Sequence, residues 1–241
     1  MINPKKFKSI PSWLLGGFWI NQRFTGLNGE EISTKDFGSN KFHGRTHPST
    51  CYMAIMRFTE EGDYVYIPFA GSGTEVDICN RYHRHPLAID INDYQTVGVS
   101  KADATTFCVP NPNVVRLIIA HPPYENAVHY GDNPRDLSKK GQDYINLVKR
   151  CAWKFYDNLA VGGKLVLIIG SVYRNKSEIP LDYVWHNELS QVKFRLIGRI
   201  IRDFGETKGK GKNENLWKYR LLKYNRFYLK NDFVMIYEKV K

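Results

Sequence analysis

His121-Pro122-Pro123-Tyr124 follows directly on the aliphatic run from Val114 to Ala120, and its residue types suit one kind of chemistry. An aromatic amine is a poor nucleophile because its lone pair is delocalised into the ring. Two acceptors aimed at the amine hydrogens draw it toward tetrahedral geometry, from which it can attack an electrophilic methyl group. The side chain of His121 can be one acceptor and the backbone carbonyl of Pro122 the other, while Pro122 and Pro123 hold the chain rigid and extended. Tyr124 can stack on a base swung out of a duplex. A histidine serves as acceptor only as the neutral imidazole, so His121 must stay unprotonated near neutral pH. The other reading of a Pro-Pro pair is that it simply ends a strand. No covalent enzyme intermediate is required, and Glu125 and Asp132 are not needed as general bases.

Such a corner needs a scaffold that delivers a methyl donor to it. A short apolar run, Tyr64 to Ile67, leads through Pro68 and Phe69 into Gly71-Ser72-Gly73-Thr74, after which Val76, Ile78, Cys79 and Tyr82 line one helical face. That order predicts strand, glycine turn, helix. The runs Leu87 to Ile91, Val114 to Ala120 and Lys164 to Gly170 suit strands buried on both faces of a parallel sheet. Gln142 to Leu159 has helical periodicity and makes a crossover between two of them. Further on, Tyr183 to Phe194 predicts a helix, and Leu196 to Arg202 and Asp232 to Glu238 predict strands.

A doubly wound sheet binds its nucleotide-like ligand at the carboxyl ends of the strands, where the first turn must let backbone approach closely. Pro68, Phe69, Gly71, Ser72, Gly73 and Thr74 form that turn. Asp90, with Ile91, ends the next strand and can accept both ribose hydroxyls of an adenosine. Asp103, with Ala104, can accept from the adenine amino group.

Phe69 to Thr74 and His121 to Tyr124 resemble the cofactor-binding and catalytic motifs of the amino-methyltransferases that modify adenine N6 or cytosine N4 in DNA. Phe42-His43-Gly44 with His47-Pro48, Asn133 to Ser138, and Leu216 to Arg220 extend the likeness to a compact group of DNA modification methylases with the same tetrad. The resemblance implies S-adenosyl-L-methionine as cofactor. It also implies a Rossmann-like seven-stranded sheet, mostly parallel with a reversed final strand and helices on both faces. The target amine would be that of a flipped-out base, adenine slightly ahead of cytosine. Two positions depart from the family pattern. Ile67 stands where an Asp helps hold the methionine part of the cofactor, and His121 stands where Asp, Asn or Ser is usual. The competing readings are a homologue that kept the fold and lost catalysis, and a base methyltransferase acting on RNA.

Bulk properties agree with a nucleic-acid partner. The chain has 241 residues, a length suited to one methyltransferase domain, and 35 Lys and Arg against 24 Asp and Glu give it a net charge of +11. DNA contacts are expected from Arg135, Lys139 and Lys140 after the tetrad, from Lys208, Lys210 and Lys212 in a glycine-lysine run, and from Trp217 and Arg220. Tyr130 is placed near the base or the groove with Tyr124 and Trp217. Residues 1 to 45, 125 to 140 and 174 to 220 would build the DNA-facing side. Cys51, Cys79, Cys108 and Cys151 make no C-x-x-C pair, so they predict reduced core cysteines and no metal site. Residues 1 to 17 are too interrupted for a signal peptide or membrane span. A cytoplasmic protein is expected, nucleoid-associated in a prokaryote, with oligomeric state open and a homodimer compatible.

Overall fold

The structure is a computed structural model that describes residues 23–39, 42, 44–203, 214–227, 229 and 231–241. A short antiparallel hairpin, β1 (Arg23–Thr25) and β2 (Glu31–Ser33), precedes helix α1 (Pro48–Phe58). Then come β3 (Tyr64–Ile67), α2 (Thr74–Arg81), β4 (His85–Asp90), β5 (Val99–Lys101) and β6 (Val115–Ala120). Helix α3 (Gly141–Asp157) leads to β7 (Lys164–Ile169), followed by the hairpin β8 (Ser171–Arg174) and β9 (Ser177–Pro180). The chain continues through α4 (Leu181–Gln191), β10 (Phe194–Asp203), α5 (Glu214–Lys223) and β11 (Asn231–Lys239).

Seven strands form one sheet in the order β10-β11-β7-β6-β3-β4-β5. The pairings β7–β6, β6–β3, β3–β4 and β4–β5 are parallel, whereas β11 runs antiparallel to both β7 and β10. This is the Rossmann-like arrangement with a reversed final strand. The parallel strands are apolar on both faces because both are covered. In β6, Leu117 and Ile119 pack beneath α1 and α2, while Ile118 and Ala120 face the side of α3 and α4. Residues Val166 and Ile168 against Leu165, Leu167 and Ile169 repeat the alternation in β7.

Several elements differ from expectation. Strand β4 starts at His85 rather than Leu87, since His85 and Pro86 already pair with Tyr64 and Val65. Phe194, expected to close a helix, opens β10, because α4 stops at Gln191 and Lys193 adopts φ +63. Cys108 is exposed, lying in the connection between β5 and β6 with its Sγ 3.1 Å from Lys154 Nζ, whereas Cys51, Cys79 and Cys151 are buried. Among the described residues no helix is long and apolar enough to cross a membrane.

Candidate active site

The carboxyl ends of β3, β4 and β6 open on one cleft. Its floor is the turn after β3. Gly71 has φ +43 and Gly73 has φ +78, a left-handed region that glycine enters without strain. A Cβ on Gly71 would sit 2.9 Å from the Phe42 ring, so the backbone is bare where it meets the cleft wall. Pro68, Phe69, Gly71 and Ser72 line the cleft. Gly73 and Thr74 lie just behind, Gly73 capping α2 and the Thr74 hydroxyl 3.2 Å from that of Ser72.

Asp90 locks the turn to β4. Its Oδ2 accepts from the Gly71 N–H at 3.0 Å and its Oδ1 from the Asn92 N–H at 3.0 Å. Each oxygen keeps lone-pair capacity for a further donor. Burial raises the Asp90 carboxyl above the ordinary aspartate range, against the lowering effect of those N–H bonds. Ile91 and Ala104 line the cleft beside it. Asp103 spends Oδ1 on the Thr105 N–H at 2.8 Å and the Thr105 hydroxyl at 2.7 Å. Its Oδ2 stands 2.9 Å from Arg135 Nε in an ion pair, yet the N–H is not aimed along that contact, and Oδ2 is buried without a hydrogen bond. A buried acceptor left open in a cleft wall fits a ligand donor such as an adenine amino group. Tyr130, stacked on Phe42 with ring centroids 6.3 Å apart, lines this same cleft.

The tetrad sits across the cleft, at the end of β6. His121 and Pro123 line it, Pro122 is buried, and the Pro122 carbonyl accepts no hydrogen bond among the described residues. Both ring nitrogens of His121 face protein: Nδ1 is 2.9 Å from Thr46 Oγ1 and Nε2 is 3.3 Å from Tyr124 Oη. Burial, helped by the Arg202 charge, depresses its pKa to about 3, so the ring is neutral at physiological pH. Tyr124 donates its phenol proton to Asp232 Oδ2 at 2.9 Å. Asp232 in turn accepts from Arg202, with Nε to Oδ1 at 2.7 Å and Nη2 to Oδ2. Burial alone would lower the Arg202 guanidinium, but the Asp232 carboxylate reverses the sign and holds it raised. Gly170 leaves room for the Tyr124 ring, since a Cβ there would come within 3.0 Å of Cε2.

The positions expected to contact DNA are spread from the cleft outward. Arg135 is engaged with Asp103 at the cleft, Lys139 is half-buried, and Lys140 is exposed just before α3. Arg220 lies exposed on α5, the backbone of Trp217 on the same helix, and Lys208, Lys210 and Lys212 lie outside the described residues. Ile67 is fully buried in the core. Asp136, from the Asn133 to Ser138 motif, also lines the cleft, as do Arg45, Thr46, Glu75 and Asn92, which no sequence motif singled out. Only the adjoining Phe42 to Gly44 and His47-Pro48 segments hinted at the neighbourhood of Arg45 and Thr46.

On the same rim, Arg174 of β8 pairs with Glu125, just after the tetrad, at 3.0 Å. Next to that hairpin, α5 and the turn after it expose Tyr219, Leu222 and Phe227 among cations. Arg226 lies 5.0 Å from the Tyr173 ring and 5.1 Å from that of Tyr224, and Lys223 lies 5.6 Å from Tyr219. The Phe227 backbone ties this surface to β8 through the Tyr173 hydroxyl, donating to it at 3.1 Å and accepting from it at 2.9 Å.

The fold is that of the S-adenosylmethionine-dependent methyltransferases. No family model and no curated protein matches the chain. Among solved structures, geranyl diphosphate methyltransferase is similar with TM-score 0.54 at 9% identity, over 80% of this chain and 79% of that one. TrmN from Thermus thermophilus gives TM-score 0.52 at 15% identity over 81% of this chain, which spans 49% of TrmN, about half its length. A Thermus thermophilus protein assigned as a DNA modification methylase, TTHA0409, gives TM-score 0.39 at 16% identity over 58% of this chain and 51% of that one. Likeness at these identities is one of fold, and substrate must come from the site.

Proposed function

We propose that the protein is an S-adenosyl-L-methionine-dependent methyltransferase acting on the exocyclic amine of a base in DNA, adenine N6 ahead of cytosine N4. One observation carries this reading: a neutral His121, followed by a Pro122 whose carbonyl accepts no hydrogen bond among the described residues, lines the same cleft as Asp90 and Asp103, whose Oδ2 also accepts none. Asp90 would hold the ribose hydroxyls of the cofactor and Asp103 its adenine amino group. When bound there, S-adenosylmethionine supplies an electrophilic methyl group. His121 and Pro122 accept the two hydrogens of the target amine, orient its lone pair, and exclude water from the path. Tyr124, held by Asp232, is a wall against which the base packs.

The choice of nucleic acid rests on charge and placement. A net charge of +11 attracts a polyanion. The cationic and aromatic surface of α5 and the β8–β9 hairpin joins the rim of the tetrad through the Arg174–Glu125 pair. Segments 1–45, 125–140 and 174–220 are the DNA-facing elaborations of a single methyltransferase domain in this reading, with residues 1–22, 40, 41, 43 and 204–213 of them lying outside the described residues. The test is transfer of labelled methyl from S-adenosylmethionine to duplex DNA, single-stranded DNA and structured RNA. Transfer to DNA that His121→Ala abolishes while cofactor binding persists is the expected result. Preference for RNA moves the substrate, and transfer to neither refutes the reading.

A further inference from the structure

Charged side chains line the cleft at Arg45, Glu75, Asp90, Asp103, Arg135 and Asp136. Most of them are engaged within the protein. Asp90 locks the glycine turn, Asp103 and Arg135 face each other, and Asp136 accepts from the Ser138 N–H through Oδ1 at 2.8 Å and from Asn92 Nδ2 through Oδ2 at 3.0 Å. Glu75 is different. It is 2% exposed, yet among the described residues no Lys or Arg forms an ion pair with its carboxyl. An acid enclosed without a counter-ion resists ionisation, and burial accordingly raises Glu75 above the usual glutamate range.

Arg45 is half-buried and lines the same cleft, near enough to favour a charge on Glu75 without pairing with it. Its Nη1 donates to the carbonyls of Thr34 at 3.1 Å and Phe37 at 2.5 Å, while Nε and Nη2 donate to nothing among the described residues. A buried acid that lacks a cation and a guanidinium with spare donors, set in one cleft, match a ligand that carries both charges.

Their place in the fold says which end of the ligand they meet. The sheet order β6-β3-β4-β5 puts Asp90, at the end of β4, and Asp103, just after β5, toward one side of the cleft. Glu75 lies in the first turn of α2, which follows β3, and Arg45 adjoins Thr46, whose Oγ1 is 2.9 Å from His121 Nδ1 beyond the end of β6. S-adenosylmethionine carries an ammonium and a carboxylate on one carbon, joined to the ribose through the sulfonium. Ile67, at the end of β3, is fully buried and has no polar side-chain atom to offer them.

We propose that Glu75 and Arg45 form the subsite for the amino-acid end of the cofactor, Glu75 receiving the ammonium and Arg45 the carboxylate. The orientation rests on the reading above, with Asp90 at the ribose and Asp103 at the adenine. The ligand brings Glu75 the cation that the protein withholds, so this end of the cleft selects a complete amino acid and not merely a nucleoside.

Titration calorimetry on the full chain tests this with no nucleic acid present. The probes are S-adenosylhomocysteine, which has both charges, its decarboxylated analogue, which keeps only the ammonium, and methylthioadenosine, which has neither. Wild type is expected to bind S-adenosylhomocysteine at least about 10-fold more tightly than methylthioadenosine, the scale of one hydrogen bond to a charged group. Glu75→Leu weakens S-adenosylhomocysteine and the decarboxylated analogue by at least about 10-fold and leaves methylthioadenosine unchanged. Arg45→Met weakens S-adenosylhomocysteine alone. Equal wild-type affinity for S-adenosylhomocysteine and methylthioadenosine overturns the proposal even if neither variant folds, as does a Glu75→Leu protein whose loss is the same for all three probes. Selection of S-adenosylhomocysteine by a protein that methylates no nucleic acid upholds the subsite and defeats the proposed function; methylation of DNA by a protein indifferent to the amino-acid end does the reverse.

Discussion

Removing Asp232 is expected to cost more stability than removing most apolar side chains. Asp232 is 0% exposed and its partner Arg202 6%. In Asp232→Ala the guanidinium loses the two hydrogen bonds and the counter-charge that Asp232 supplies while remaining enclosed, and the Tyr124 hydroxyl loses its acceptor. Breaking one side of a buried pair costs about 3–5 kcal/mol, and the stranded phenol adds about 1 kcal/mol. For a chain of this size each kcal/mol lowers Tm by roughly 2–4 °C, so a drop of about 10–20 °C is expected. Replacing the pair with apolar side chains, Arg202→Met with Asp232→Leu, removes the unpaired charge and is expected to recover most of the loss. Urea denaturation at pH 7, followed by near-ultraviolet circular dichroism and confirmed by calorimetry, measures all three proteins. A loss below about 1 kcal/mol in the single variant, or a double variant no more stable than it, refutes the account of the pair as mutually dependent.

Three further outcomes are expected. The His121 ring titrates near 3 when folded, against about 6.5 when unfolded. The unfolded state therefore binds the extra proton between those values, and stability falls as pH drops below about 6.5; urea midpoints at pH 7 and 4.5 should separate less in His121→Gln than in wild type. Asp90→Ala is expected to weaken S-adenosylmethionine binding by at least about 10-fold, since hydrogen bonds to a charged group contribute roughly 1.5–3 kcal/mol each; an unchanged calorimetric Kd removes Asp90 from the cofactor site. Gly71→Ala places a methyl 2.9 Å from the Phe42 ring at φ +43, and the strain should cost about 1–3 kcal/mol in chemical denaturation.

The central strands were legible because a strand buried on both faces must be continuously aliphatic, as from Val115 to Ala120, and because glycine punctuates the turn at Gly71 and Gly73. Helix α1 escaped notice for a related reason. Every residue from Pro48 to Ile55 is buried, so no polar face marks a helical stripe, and its cap is the His47 ring, accepting from the Ser49 N–H at 3.3 Å. The β8–β9 hairpin is half-buried to exposed throughout and carries no alternation to betray it. In the site, Asp90 and Asp103 stood out by their distance from the glycines. Glu75 did not, for an acidic residue in the first turn of a helix is the ordinary companion of the helix dipole. Only the fold, which buries Glu75 in the lining of the cleft that Thr46 and His121 share, sets it apart. Arg202 and Asp232 are likewise invisible as a pair, because antiparallel register across β10 and β11 is what joins them.

That register also sets a timetable. Tyr124 and Asp232 are 108 positions apart, and β11 must pair with β7 before the phenol finds its acceptor. During synthesis the glycine turn and the aliphatic strands emerge long before the strand that steadies the tetrad. A chain still on the ribosome can therefore shape its cleft while its Tyr124 corner stays slack. Competence arrives late, and all at once, with the closing of the sheet.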